Sequence, residues 1–180
     1  MIISTNCQEL CENDMHIQMK DKITINATAD RAWEILAHQF GSIGEWASII
    51  TESKAVVDEG EADSNSVTGR VCTAKGFGDT VEELTHYDEE SKCFTYKAIE
   101  GLPFFIKSAE NNWSVHALSE EITEVRSRAE IEMSFFPGFF LAPVFKFIMA
   151  RKGKEMFEEL KFYLEQGQPH PRKLKQSRNQ

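Results

Sequence analysis

One hundred and eighty residues make one domain with tails and exclude two full catalytic domains, because a single core closes at roughly 100 to 200 residues. A hydrophobic fraction of 41% with 13 Phe, and charges of both signs at 27%, exclude a disordered chain. The net charge is −9, yet residues 169–180 hold Arg172, Lys173, Lys175 and Arg178 and no acid, so the body is more acidic than the whole, repels a phosphate backbone, and no nucleic-acid partner is expected.

Residues 1–20 lack sustained periodicity and read as an N-terminal arm. Acids at Glu9, Glu12 and Asp14, with Lys20 as the one base, do not make a secretory leader. The longest apolar run, 135–145, is too short to span a bilayer, so the expected location is cytoplasmic. Cys7 and Cys11 form a CxxxC, neither a zinc nor a redox spacing, and with Cys72 and Cys93 they are expected to be free thiols.

The domain itself is expected over 21–167. Residues 22–27 alternate as a half-buried strand. Thr28 can cap a helix over 29–40, with Ala29, Ala32, Trp33, Leu36 and Phe40 on one face and Gly41 as the stop. A second short helix is expected over 43–48. Strands follow over 53–59, 67–74, 80–87, 94–99, 106–118 and 122–135, separated by turn-forming clusters short enough to favour antiparallel hairpins. In the last strand Val125, Ser127, Ala129, Ile131, Met133 and Phe135 take one parity and charged residues the other, the pattern of a sheet covered on one side. A helix over 144–166 supplies the cover, with Phe145, Ile148, Met149, Met156, Phe157 and Leu160 at helical intervals and Gly167 and Pro169 ending it. Residues 168–180 read as a disordered basic tail.

The stretches ITINATADRAWEILAHQFGSIGEW (23–46), DTVEELTHYDEESKCFTYKAIEG (79–101), NNWSV (111–115) and the closing LKFYLEQG resemble the SRPBCC superfamily, the START/Bet v 1-like proteins, and especially its polyketide cyclase/dehydrase branch. The resemblance implies an α+β helix-grip fold: a curved seven-stranded antiparallel sheet wrapped around a long C-terminal helix, with two short helices after the first strand. It also implies a largely apolar cavity between sheet and helix. Members hold lipids, sterols, plant hormones, quinone-like compounds or polyketides, and some cyclise or dehydrate what they hold.

Within that frame the inward parity of the last strand offers Ser127, Ala129 and Ile131 to a cavity wall, the small residues leaving volume. Strand 80–87 sends one carboxylate to each face; Glu82, with Leu84 and His86 on its parity, is aligned with an inward acid of related proteins, and Glu83 is the alternative. A buried carboxylate needs a partner, for which Lys152 is the candidate. Phe94 and Tyr96 share one parity, as do Asn111 and Trp113; the Tyr hydroxyl and Asn amide could orient a ligand oxygen, while Trp113 and Trp33 also suit the core. Phe145, Ile148, Met149, Lys152 and Met156 come from the final helix. Phe135, Phe136, Phe139 and Phe140 must bury against the core, a ligand, a partner or a membrane surface.

The five histidines show no HxH or HExxH spacing, no GxSxG elbow is present, and GFGDTV lacks the third glycine of a dinucleotide fingerprint, so no metal and no cofactor are expected. The leading expectation is a protein that binds a hydrophobic or amphipathic small molecule for transport, sequestration or sensing. The alternative is a cofactor-independent aromatase/cyclase or dehydratase using Glu82, His86 or Tyr96 for proton transfer.

Overall fold

The computed structural model describes residues 14–57, 67–76 and 78–178, with the backbone alone for 135–140. Cys7 and Cys11 lie outside the described residues, as does the whole of the turn-forming segment 60–66.

The first strand, β1 (Met15–Ile25), begins seven residues before the expected 22, so residues 15–20 of the expected arm belong to the sheet. Its inward residues Ile17, Met19, Asp21, Ile23 and Ile25 include one acid, which interrupts the alternation; pairing with the last strand from Met15↔Met133 to Ile25↔Thr123 is what gives its backbone groups their partners. Thr28 caps α1 (Ala29–Trp33), its Oγ1 accepting the Arg31 N–H at 3.1 Å. The expected single helix over 29–40 instead loosens into a π turn (Glu34–His38) and then a 3₁₀ turn (Phe40–Glu45), which buries Phe40 and leads into the buried Trp46. Gly41 does not end a helix. It lies inside the 3₁₀ turn, where an added Cβ would stand 2.5 Å from the Cβ of Ala55 and 2.7 Å from its backbone.

Six strands follow: β2 (Ile50–Val57), β3 (Val67–Ala74), β4 (Gly78–Asp88), β5 (Cys93–Glu100), β6 (Ile106–Ala117) and β7 (Thr123–Met133). They form one antiparallel sheet in the order β1-β7-β6-β5-β4-β3-β2, with register shifts in β2/β3, β4/β5 and β6/β7 of the kind that bend strands. The long helix α2 (Phe135–Gln166) starts nine residues earlier than expected and runs through Pro143. That proline is exposed, and its missing N–H removes one intrahelical bond from the helix. Gly167, at φ +67°, closes α2 by donating its N–H to Tyr163 O. None of the described helices is long and apolar enough to cross a membrane.

The basic tail is not uniformly unstructured. Pro171–Ser177 form α3, capped by His170, and Lys173 is buried with its Nζ donating to Ile50 O at 2.7 Å. The acids of α2 account for this docking: Arg172 pairs with Glu158 at 2.8 Å and with the buried Glu159 at 2.9 Å.

Two apolar clusters seat α2 on the sheet. One gathers Trp33, Phe40, Phe94, Trp113, Phe157 and Leu160; the other gathers Ile17, Ile106, Ile131, Met133, Ala142 and Phe145. The span of α2 between them carries no fully buried apolar residue.

The β4–β5 turn is clamped to α1. Glu89 accepts from Trp33 Nε1 at 2.8 Å and Tyr87 Oη at 2.7 Å and faces His38 Nε2 at 3.1 Å, while His38 Nδ1 meets Glu34 at 2.7 Å. The donors Tyr87, Trp33 and His38 hold the Glu89 carboxyl down to about 2, and hydrogen bonds to Glu34 and Glu89 raise His38 above its ordinary 6.5.

A depressed acid stabilises the fold above its unfolded value and loses that contribution as pH falls through its folded one; a raised histidine contributes fully below its unfolded value and is lost as pH rises through its folded one. The Tm difference between the wild type and Glu89→Gln is therefore expected to be greatest between pH 4.5 and 6.5 and to shrink on both sides, which a pH series of thermal melts checks. Gly41→Ala, forced against the Ala55 backbone, is expected to cost about 1 to 3 kcal/mol in urea unfolding.

Candidate ligand cavity

The gap between the two apolar clusters is a cavity of about 250 Å³. Its sheet wall carries Met19 and Asp21 from β1, Arg70 and Ala74 from β3, Thr80 and Glu82 from β4, Tyr96 and Ala98 from β5, Ala109 and Asn111 from β6, and Ser127, Ala129 and Ile131 from β7. Phe145, Met149, Lys152, Gly153 and Met156 of α2 form the opposite wall, and Leu102 and Pro103 approach from the β5–β6 loop. Small residues make the room: Ala98, Ala109 and Ala129 on the sheet face Gly153 on the helix.

Besides Thr80 and Lys152, polar groups enter this apolar space in three places. Arg70, 4% exposed, donates from Nε to Glu82 Oε2 at 2.6 Å and from Nη1 to Phe40 O at 3.1 Å, and its guanidinium lies 4.0 Å from the Phe40 ring centre and 4.8 Å from that of Tyr96. Opposite charge, a backbone acceptor and two ring faces thus replace water around one cation. Next comes a hydrogen-bond chain: Ser127 Oγ donates to Asn111 Oδ1 at 2.7 Å, and Asn111 Nδ2 donates to Tyr96 Oη at 3.2 Å. Burial raises the Tyr96 phenol above its ordinary range, and the Glu82 charge adds to the rise, so the phenol keeps its proton. That proton has no acceptor among the described residues.

The last polar group is Asp21, opposite Ser127 in the β1/β7 ladder. It has no hydrogen-bond or ion-pair partner among the described residues, its Oδ2 lies close to where a Cβ on Gly153 would stand, and burial raises its carboxyl above the usual range. Cys72, fully buried in the neighbouring core, is inert by contrast: burial pushes its thiol up to about 11.

Of the residues expected at a ligand site, Glu82, Tyr96, Asn111, Ser127, Ala129, Ile131, Phe145, Met149, Lys152 and Met156 line the cavity. Five stand elsewhere. Phe94 and Trp113 are core residues, Trp113 stacked on Phe157 at 5.2 Å, and Leu84 packs against the same core. Ile148 is on the solvent side of α2, 41% exposed. His86 sits on the outer face, because the register shift between Leu84 and His86 inserts Thr85 and breaks the parity that Glu82 and Leu84 set; Tyr87 turns inward against Trp33 instead. Lys152 is not the partner of Glu82; it pairs with Glu155 at 2.8 Å. Side chains of Phe135, Phe136, Phe139 and Phe140 lie outside the described residues, but nearby Phe104, Val144 and Phe147 are exposed.

Sequence reasoning missed Arg70 and Asp21. The signal for Arg70 is its place on the inward parity with Cys72 and Ala74 while Val71 faces out; Asp21 was hidden because the strand was expected to start only at 22, just past it.

Residues 16–165 match the family described as polyketide cyclase / dehydrase and lipid transport. The chain belongs to this family. It is an SRPBCC-type protein of the polyketide cyclase-like branch, with the helix-grip fold. No curated protein matches it. Among solved structures it is similar to a START superfamily protein from Mycobacterium smegmatis (13% identity, TM-score 0.68, 84% of this chain and 99% of that one). It is also similar to XoxI from Bacillus cereus (16%, 0.59, 78% and 93%) and to norcoclaurine synthase from Thalictrum flavum in complex with dopamine and hydroxybenzaldehyde (13%, 0.59, 88% and 94%). At such identities these likenesses speak for the fold alone.

Glu82→Gln would leave the buried Arg70 charge without its counter-ion and is expected to lower stability by about 2 to 4 kcal/mol, whereas the double variant Arg70→Met/Glu82→Leu recovers most of that loss. Urea unfolding of both variants measures this; equal losses in the two would show that packing rather than charge pairing is at stake.

Proposed function

We propose that this SRPBCC protein binds a hydrophobic or amphipathic small molecule, a lipid, polyketide or isoprenoid-like compound, between sheet and α2, for transport, sequestration or sensing. The observation that carries this reading is a largely apolar cavity of about 250 Å³ whose polar groups, Lys152 apart, lie on the sheet wall. An apolar cavity of roughly 150 Å³ already takes up benzene, so this one suits a larger guest. Tyr96 offers a hydroxyl proton with no acceptor among the described residues, which fits a ligand carbonyl or other acceptor oxygen. Asp21 offers the complementary acceptor for a ligand hydroxyl or amine. Exposed Phe104, Val144 and Phe147 beside the loop and helix end that line the cavity suit a transient membrane or protein contact during loading.

The alternative, a cyclase- or dehydratase-type enzyme, has one observation in its favour: Asp21, without a polar partner among the described residues, is a carboxyl with a raised pKa inside the cavity, a suitable general base or acid. Such chemistry would draw on Asp21 and Tyr96, since His86 is outside the cavity and Glu82 is engaged by Arg70.

Native mass spectrometry of protein purified from its own host is expected to show a co-purifying apolar compound, and Tyr96→Phe to weaken rebinding of that compound about 5- to 10-fold, the worth of one hydrogen bond. Protein that arrives empty and takes up no apolar compound would end this reading. Conversion of the bound compound by the wild type, abolished in Asp21→Asn, would favour the enzyme.

A further inference from the structure

On the face of the sheet turned away from the cavity, the β4–β5 hairpin brings three different metal-ligating side chains together. Asp88 and Cys93 are directly opposite each other in the ladder, and His86 stands two residues before Asp88 on the same outer face. Their ligand atoms all lie within 4.8 Å of one another, and His86 Nε2 is 3.6 Å from Cys93 Sγ.

That last distance bears directly on the chemistry. A tetrahedral zinc ion with Zn–S of about 2.3 Å and Zn–N of about 2.0 to 2.1 Å places its sulfur and nitrogen ligands roughly 3.6 Å apart. The pair therefore already spans one edge of such a tetrahedron. Asp88 is prepared for the next position: its Oδ1 accepts the N–H groups of Glu90 and Ser91 at 3.0 Å each, which orients the carboxylate. A swing of about one ångström brings an oxygen from the 4.8 Å limit to ligand spacing. Ser91 Oγ lies 3.3 Å from Cys93 Sγ, placed to donate to a thiolate as an outer partner of a bound metal does. Charge in the turn agrees: Asp88, Glu89 and Glu90 are consecutive, and Lys92 is drawn off by Asp30 at 2.8 Å.

We propose that His86, Asp88 and Cys93 form a binding site for a borderline divalent cation of the zinc type on the outer face of the β4–β5 hairpin. Three protein ligands leave the fourth position to water, and the thiol proton goes to solvent as the metal binds. The His/Cys/Asp combination selects zinc or cobalt over magnesium and calcium, which prefer all-oxygen shells. Because the turn that carries Asp88 also carries Glu89, which grips Trp33 and His38, a bound ion would tie the hairpin tip that anchors α1.

Cobalt(II) added to the full chain in a Cys7→Ser/Cys11→Ser background tests the site, that background removing the amino-terminal thiols. The expected result is a thiolate-to-cobalt charge-transfer band with the strong visible bands of tetrahedral cobalt, bleached by stoichiometric zinc. Cys93→Ser is expected to abolish the charge-transfer band, and His86→Ala and Asp88→Asn each to weaken binding at least about tenfold, the asparagine still able to cap the turn. Circular dichroism establishes that each variant is folded. The absence of a thiolate band in the parent protein, or its persistence in folded Cys93→Ser, would overturn the proposal whatever the cavity binds.

Discussion

A guanidinium removed from water fixes the inner wall of this fold. Arg70 is surrounded by Glu82, the Phe40 carbonyl and the faces of Phe40 and Tyr96, so four elements, β3, β4, β5 and the 3₁₀ turn, are tied to one charge. A buried cation stripped of these partners is costly, which makes the arrangement strongly directional. Its consequence is spatial: the same group that locks the helical turn onto the sheet also stands at the cavity wall, so the polar groups of the space beneath α2, Lys152 apart, lie on its sheet side.

The cavity survives because α2 is anchored at both ends and not between. Phe157 and Leu160 pack into the larger cluster and Ala142 and Phe145 into the smaller, while Met149, Gly153 and Met156 face alanines across the gap. Sheet curvature and small side chains thus separate two requirements that compete in most domains, a filled core for stability and an unfilled space for a guest. The docking of α3, through Lys173 and Arg172, adds hold to the C-terminal half of α2 and leaves the cavity span untouched.

Much of the fold was legible because its signals are local. The turn-forming clusters on either side bounded β3 to the residue, period-two alternation gave the inward parity of β7, and Thr28 and Gly167 behaved as cap and stop. Signals that need a partner strand were lost. A one-residue insertion at Thr85 sent His86 outward, and the weak alternation of β1 concealed Asp21, so the polar inventory of the cavity differed from expectation at the positions that matter most for chemistry. The outer-face trio escaped for the same reason: its spacing, HxD followed by a cysteine across a turn, acquires meaning only when Asp88 lies opposite Cys93.

By itself, the sequence determined the element order, the two-faced sheet, the covering helix and the family, since each follows from side-chain patterning among near neighbours. Which carboxylate meets which cation was decided by tertiary structure. Glu82 meets Arg70 rather than Lys152, Lys173 reaches Ile50 across 123 residues, and Asp21 comes to lie beside Gly153. Those outcomes depend on register and chain reversal, which bring distant residues within a hydrogen bond's length and which no short-range pattern records.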